Sequence, residues 1–131
     1  MMEIHDYYTE GGKNLIKGYL NNLPVPERTY GYSIRHKIIL EGLAAFDGLN
    51  TRHLFDKLWE IKFYNNRIIY VIFDKDTVYF LHACKKQKGK AEKFELDKAI
   101  QRARKRFVIG GNLCHSYRLI RKKKSGNLKN Y

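Results

Sequence analysis

An α+β fold is what this sequence predicts: a small antiparallel sheet of three to four strands, packed by an N-terminal helical hairpin and a C-terminal basic helix. Two helical patterns precede residue 46, three β-type runs joined by short turns fill residues 58 to 84, and a lysine- and arginine-rich helical pattern follows. With 131 residues and 44% hydrophobic content, the chain has material for one core. The expected division is a domain over residues 1–107 and a basic extension over 108–131.

The elements follow in order. Residues 3–8 (EIHDYY) fit a short strand that Gly11 and Gly12 break. Leu15, Ile16, Tyr19, Leu20 and Leu23 have helical spacing and end at Pro24 and Pro26. A second helix is expected from Pro26 or Glu27 to about Phe46, with Ile34, Ile38, Ile39, Gly42, Leu43 and Phe46 facing inward. LWEIKFY (58–64) alternates, with Trp59, Ile61 and Phe63 on one face and Glu60, Lys62 and Tyr64 on the other. Asn65 and Asn66 are the expected turn, because asparagine tolerates positive φ. RIIYVIF (67–73), the turn DKD and TVYFLHAC (77–84) complete a meander. KKQKGK (85–90) reads as a loop, and a helix from about Ala91 to Phe107 carries the stripe Leu96, Ala99, Ile100, Ala103 and Phe107. HSYRLI (115–120) is a further candidate strand.

Charge is distributed unevenly. Residues 1–84 hold ten basic and ten acidic side chains, while residues 85–131 hold sixteen basic and three acidic ones, so the second stretch supplies the whole formal charge of +13. A chain with one neutral and one cationic part calls for a polyanionic partner: nucleic acid, a ribosome or an acidic protein. Eighteen aromatic residues argue against a disordered basic tail. Cys84 and Cys114 lack CxxC spacing and a partnering histidine cluster, so neither a disulfide framework nor a metal site is expected, and both are assigned to packing. No cofactor is implied. With no signal-like start, no membrane-length apolar run and only a polybasic stretch, a cytoplasmic protein without a membrane role is expected.

The most specific stretch is Leu58-Trp59-Glu60-Ile61-Lys62, then Arg67 with Tyr70, then Leu81-His82-Ala83-Cys84-Lys85-Lys86, then Lys90 with Glu95 five residues on. Together these resemble the HigB-like branch of the RelE/ParE toxin superfamily over roughly residues 3–107. Three features depart from its pattern: Lys62 stands where arginine is usual, Gly89-Lys90-Ala91 replaces Lys-Thr-Pro, and the basic tail runs past the family's usual end. The resemblance implies a RelE-like fold and a type II toxin that cuts messenger RNA on the ribosome without a metal. It also implies a cognate antitoxin as partner and a toxin–antitoxin hetero-oligomer. A ParE-like inhibitor of DNA gyrase that cuts no RNA is the alternative, and a phage-encoded homologue that only binds nucleic acid or host protein is a third.

RNA cleavage by its own 2′-hydroxyl needs a base, an acid and cations around a phosphorane. Lys62, Arg67, Lys85, Lys86 and Lys90 are the candidate cations, and a lysine crowded by other cations is a residue type that can act as a base. His82 is the candidate for proton transfer, with Tyr70, His53, Lys88 and Arg102 as substrate contacts. Each has a plainer reading. His82 would serve equally as a buried, hydrogen-bonded histidine, and Tyr70 fits a core ring better than a stacking platform. Lys62 would equally pair with Glu60 two residues away on the same strand, and Arg67 would answer Glu60 or Asp74. His53, in the loop before the meander, has at most a positional role. The RKKK run at 121–124 would meet ribosomal RNA, an acidic antitoxin surface, or only solvent.

Overall fold

The computed structural model describes residues 1–109 and 112–113, with side chains described through residue 107. The expected strand 115–120, Cys114 and the 121–124 run lie outside the described residues. The order is β1 (Glu3–Asp6), α1 (Leu15–Asn21), α2 (Val25–Glu41), a 3₁₀ segment (Gly42–Gly48), β2 (Thr51–Phe55), β3 (Leu58–Phe63), β4 (Asn66–Asp74), β5 (Thr77–Lys85) and α3 (Gly89–Arg106). A minimal pair, β6 (Val108–Ile109) and β7 (Asn112–Leu113), follows.

The predicted meander is β3-β4-β5, but the sheet is larger than three or four strands and is not purely antiparallel. Five strands run in the order β1-β5-β4-β3-β2, with β1 parallel to β5. Residues 51–55, expected as a loop, form β2 and pair antiparallel with β3, so His53 lies opposite Trp59 on a strand. Interrupted by a bulge and short of apolar alternation, that segment shows no β signal in sequence.

Helix α1 opens on Asn14, whose side-chain oxygen accepts from the backbone N–H groups of Ile16 and Lys17. Helix α2 begins at Pro24-Val25-Pro26, where missing N–H groups cost nothing, and stops at Glu41 rather than near Phe46 because Gly42 adopts φ 67. Gly31 lets α2 close on its neighbours: a Cβ there would meet Leu20 Cδ2 at 2.7 Å.

The sheet is covered on both faces. Ile61, Phe63, Ile68, Tyr70, Val78 and Phe80 pack against Ile16 and Leu20 of α1 and Ile34 and Ile38 of α2. On the other face Leu58, Ile69, Val71 and Leu81 meet Ala99, Ala103 and Phe107 of α3. The basic helix therefore lies across the sheet from the hairpin. Its buried positions are mostly alanines, which bring it close but bury little area, so polar contacts carry much of its attachment.

Two polar fixtures hold the hairpin layer. Arg35 of α2 donates to both carboxylate oxygens of Asp6 on β1 at 2.7 and 2.8 Å, with both side chains buried. Asn66, expected in the turn, is instead the first residue of β4 and is buried. Its amide donates to Glu27 Oε1 (2.8 Å) and Phe63 O (3.3 Å), and its oxygen accepts from Tyr19 (2.7 Å) and Lys85 (3.0 Å). The turn's left-handed residue is Tyr64, at φ 52. Substitution Asp6→Ala leaves a buried guanidinium unpaired and should cost about 3–5 kcal/mol in chemical or thermal unfolding.

Candidate functional site

Four elements converge on one carboxylate. Glu60 of β3 is fully buried, on the α3 side of the sheet. Register places Arg52 of β2 opposite Glu60, and Arg67 of β4 opposite Lys62. Glu60 Oε1 lies 3.3 Å from Arg67 Nη1 and 3.4 Å from Arg52 Nη2, and Glu60 Oε2 lies 3.8 Å from Lys62 Nζ. Helix α3 adds Glu92, whose Oε2 is 3.1 Å from Arg67 Nη2 and 3.6 Å from Arg52 Nη2. Hydrogen bonding and charge from Arg67, joined by Arg52, hold Glu92 below the usual carboxylate range. A cleft of about 150 Å³ opens here, lined by Arg52, His53, Leu54, Arg67, Ile69, Glu92 and Leu96. Arg67 is buried, Lys62 half-buried and Arg52 exposed.

A second polar cluster sits under α3 on β5. A bulge interrupts the β4-β5 register, pairing Ile69 with His82 but Tyr70 with Phe80, so Leu81 and His82 both face α3. Arg102 donates to Leu81 O at 3.1 Å and to His82 Nδ1 at 2.7 Å. Because arginine only donates, Nδ1 must accept, and the proton resides on Nε2, which donates to Glu95 at 2.6 Å. Burial pushes the His82 pKa below its usual value despite Glu95, and Arg102 adds to the drop. Burial tends to raise Glu95, but hydrogen bonds from His82 and Cys84 outweigh it and hold the carboxyl low. Burial and then Glu95 push the Cys84 thiol up to about 12, leaving it unreactive at neutral pH.

His82, Cys84 and Glu95 offer ligand atoms within 4.8 Å of one another. The donor set fits a metal poorly: a metal on Nε2 would want Nδ1 protonated, whereas Arg102 presents a donor and a positive charge there.

The expected site residues are thus divided. Lys62 and Arg67 meet, and both answer Glu60. His82 and Arg102 line a different cavity, about 220 Å³, with Lys13, Leu15, Gly18, Tyr19, Asn22 and Ala83. Lys85 crosses to the hairpin face, bonded to Asn66 and 3.6 Å from Glu27. Lys86 and Lys88 are exposed between β5 and α3, and Lys90 is exposed in the first turn of α3. Tyr70 is 2% exposed and stacks on Phe46, so its ring is a core ring. His53 accompanies Arg52 in the cleft, with Nε2 2.7 Å from Asp56 O. Arg52, Glu60 and Glu92 are not among the expected site residues; the signals for the first two are Arg52 beside His53, and Glu60 within the Leu58–Lys62 motif and its expected pairing with Lys62. Tyr64, between β3 and β4, is exposed and lies edge-on to Tyr30, also exposed, at 5.9 Å.

Protonating His82 would break its acceptance from Arg102. With its folded pKa below the unfolded one, its stabilising share is complete above about pH 6.5 and is lost as pH falls below that. His82→Gln, which can accept and donate at the same places, should flatten the fall in melting temperature between about pH 7 and 5.5. Thermal unfolding across that range checks it.

No helix among the described residues is long and apolar enough to cross a membrane. A comparison with curated proteins gives no match. The family model described as phage derived protein Gp49-like (DUF891) matches residues 18–104, well over half of the chain, from the middle of α1 through nearly all of α3. The stretch includes both polar clusters, and with them the chain belongs to the Gp49-like family, which is part of the RelE/HigB-like toxins and is associated with toxin–antitoxin systems.

Proposed function

We propose that this protein is the toxin of a type II toxin–antitoxin pair, a RelE-like endoribonuclease of the HigB type that stops translation by cutting messenger RNA on the ribosome. The observation that carries the reading is the convergence of Arg52, Lys62 and Arg67, from three adjacent strands, beside a family membership associated with toxins. Charge of that density on a rigid sheet suits a phosphorane, whose negative charge grows along the reaction.

In this reading Arg67, fixed by Glu60, stabilises the scissile phosphate, and Arg52 shares that charge. Lys62, a quarter exposed at the cluster's edge, takes the 2′-hydroxyl proton as the 2′-oxygen attacks phosphorus, and solvent at that open edge protonates the departing 5′-oxygen. Lys86, Lys88 and Lys90 hold the flanking backbone as solvent-facing cations. His82 acts as a positioning residue by anchoring α3 through Glu95 and Arg102, and Lys85 holds the strand end through Asn66. The ribosome presents the substrate, so proximity supplies what a sparse set of proton-transfer groups does not. A cognate antitoxin neutralises the protein, and both act in the cytoplasm.

Induction of the wild-type chain should arrest growth and leave transcripts cut within codons. Lys62→Ala should fold normally and lower cleavage by roughly 10²–10³-fold. Primer extension on total RNA measures the cuts. Intact transcripts with relaxed or broken DNA would replace this reading with gyrase inhibition, and harmless overexpression would leave only a binding protein.

A further inference from the structure

The outer part of the cation cluster is occupied by the protein's own side chain in a poor geometry. Arg67 divides its two terminal nitrogens between two anions: Nη1 meets the buried Glu60, and Nη2 meets Glu92. Arg52 Nη2 also lies between the two carboxylates. On the Glu92 side a single oxygen, Oε2, serves both arginines, at 3.1 and 3.6 Å. Beneath it Arg67, 3% exposed, keeps Nε without a partner among the described residues. Glu92 itself is 38% exposed and comes from the first turn of α3, so it can leave without unpairing the sheet.

We propose that the gap between Arg52 and Arg67 is a phosphate subsite, which Glu92 fills in the free protein and from which a phosphate group of RNA displaces it. The RNA source of that phosphate rests on the function proposed above; the subsite itself does not. Geometry selects phosphate over another carboxylate, and size selects a group carried on a chain. A phosphate gives each arginine a separate oxygen and matches the guanidinium fork, whereas Glu92 shares one. At about 150 Å³ the cleft is also well below the roughly 300 Å³ at which pockets begin to enclose whole small molecules, so it suits a group on a chain rather than a free nucleoside.

Charge balance points the same way. Arg52, Lys62 and Arg67 face Glu60 and Glu92, and departure of Glu92 leaves two of the three cations uncompensated until another anion arrives. The carboxylate thus acts as an internal competitor that keeps the site from binding stray anions tightly. RNA held by other contacts, at high local concentration, overcomes it.

The test titrates the full chain with inorganic phosphate and, separately, with a short single-stranded RNA, following heat or amide shifts. Glu92→Gln should bind inorganic phosphate roughly tenfold more tightly than the wild type, the change expected from removing about 1.4 kcal/mol of competing charge-assisted bonding. Adding Arg52→Ala to Glu92→Gln should abolish the gain. Should Glu92→Gln unfold, Glu92→Asp, one methylene shorter, takes its place with a smaller tightening expected. Unchanged or weaker phosphate binding in the folded variant overturns the proposal. Tighter phosphate binding without tighter RNA binding keeps the subsite and removes the RNA reading.

Discussion

A carboxylate with no access to solvent must be surrounded by cations, and Glu60 imposes that requirement on three strands at once. Arg52, Lys62 and Arg67 reach it only if β2, β3 and β4 keep their observed register, since a slip of one residue would turn each cation to the hairpin face. The same interaction that fixes the sheet's edge therefore assembles the cation cluster. It also explains why Arg67 can be buried: its charge is met from below by Glu60 and from above by Glu92. Removing Glu60 would leave the buried Arg67 with uncompensated charge, whereas without Lys62, at the edge, two arginines still balance two carboxylates.

Helix α3 shows how a basic element attaches to a sheet. The three acidic residues after position 84 are Glu92, Glu95 and Asp97, and the first two point inward, to Arg67 and His82. Spaced three apart, they lie on one face of the helix, beside the narrow stripe of Ala99 and Ala103. Turning its acids to the sheet leaves Lys93, Arg104, Lys105 and Arg106 outward with few neighbouring carboxylates. The charge asymmetry of the sequence thus becomes a basic outer surface, joined to the sheet by ion pairs.

Periodicity made the helical hairpin, the meander and the basic helix readable, because long apolar patterns of period 3.6 or 2 are set by burial on one face. What escaped it depends on single-residue irregularities. His82 follows Leu81 onto the α3 face only because β5 bulges, and strict alternation would place it with the hairpin. β2 is short and bulged, and β1 joins the sheet as a parallel neighbour of a strand more than seventy residues away, a pairing with no local signature. Asn66 reads as a turn residue by type, yet it ends up buried because Glu27, Tyr19, Phe63 and Lys85 together satisfy its amide. In the candidate site the cations were legible as residue types. Their partition was not, since it follows from the face each strand position presents: Lys62 and Arg67 toward α3, Lys85 and Tyr70 toward the hairpin.

That partition bears on how such a site would discriminate. Cations on a bare surface bind any polyanion, and their affinity collapses as salt rises. Here the innermost cation, Arg67, is buried and already paired, so an incoming phosphate gains only the difference between its own contacts and those it displaces. Weak intrinsic affinity follows, with selectivity for anions that arrive held in place by something else. For a protein carrying a formal charge of +13, in a cell full of RNA, such a difference separates indiscriminate adhesion from action at one presented phosphate.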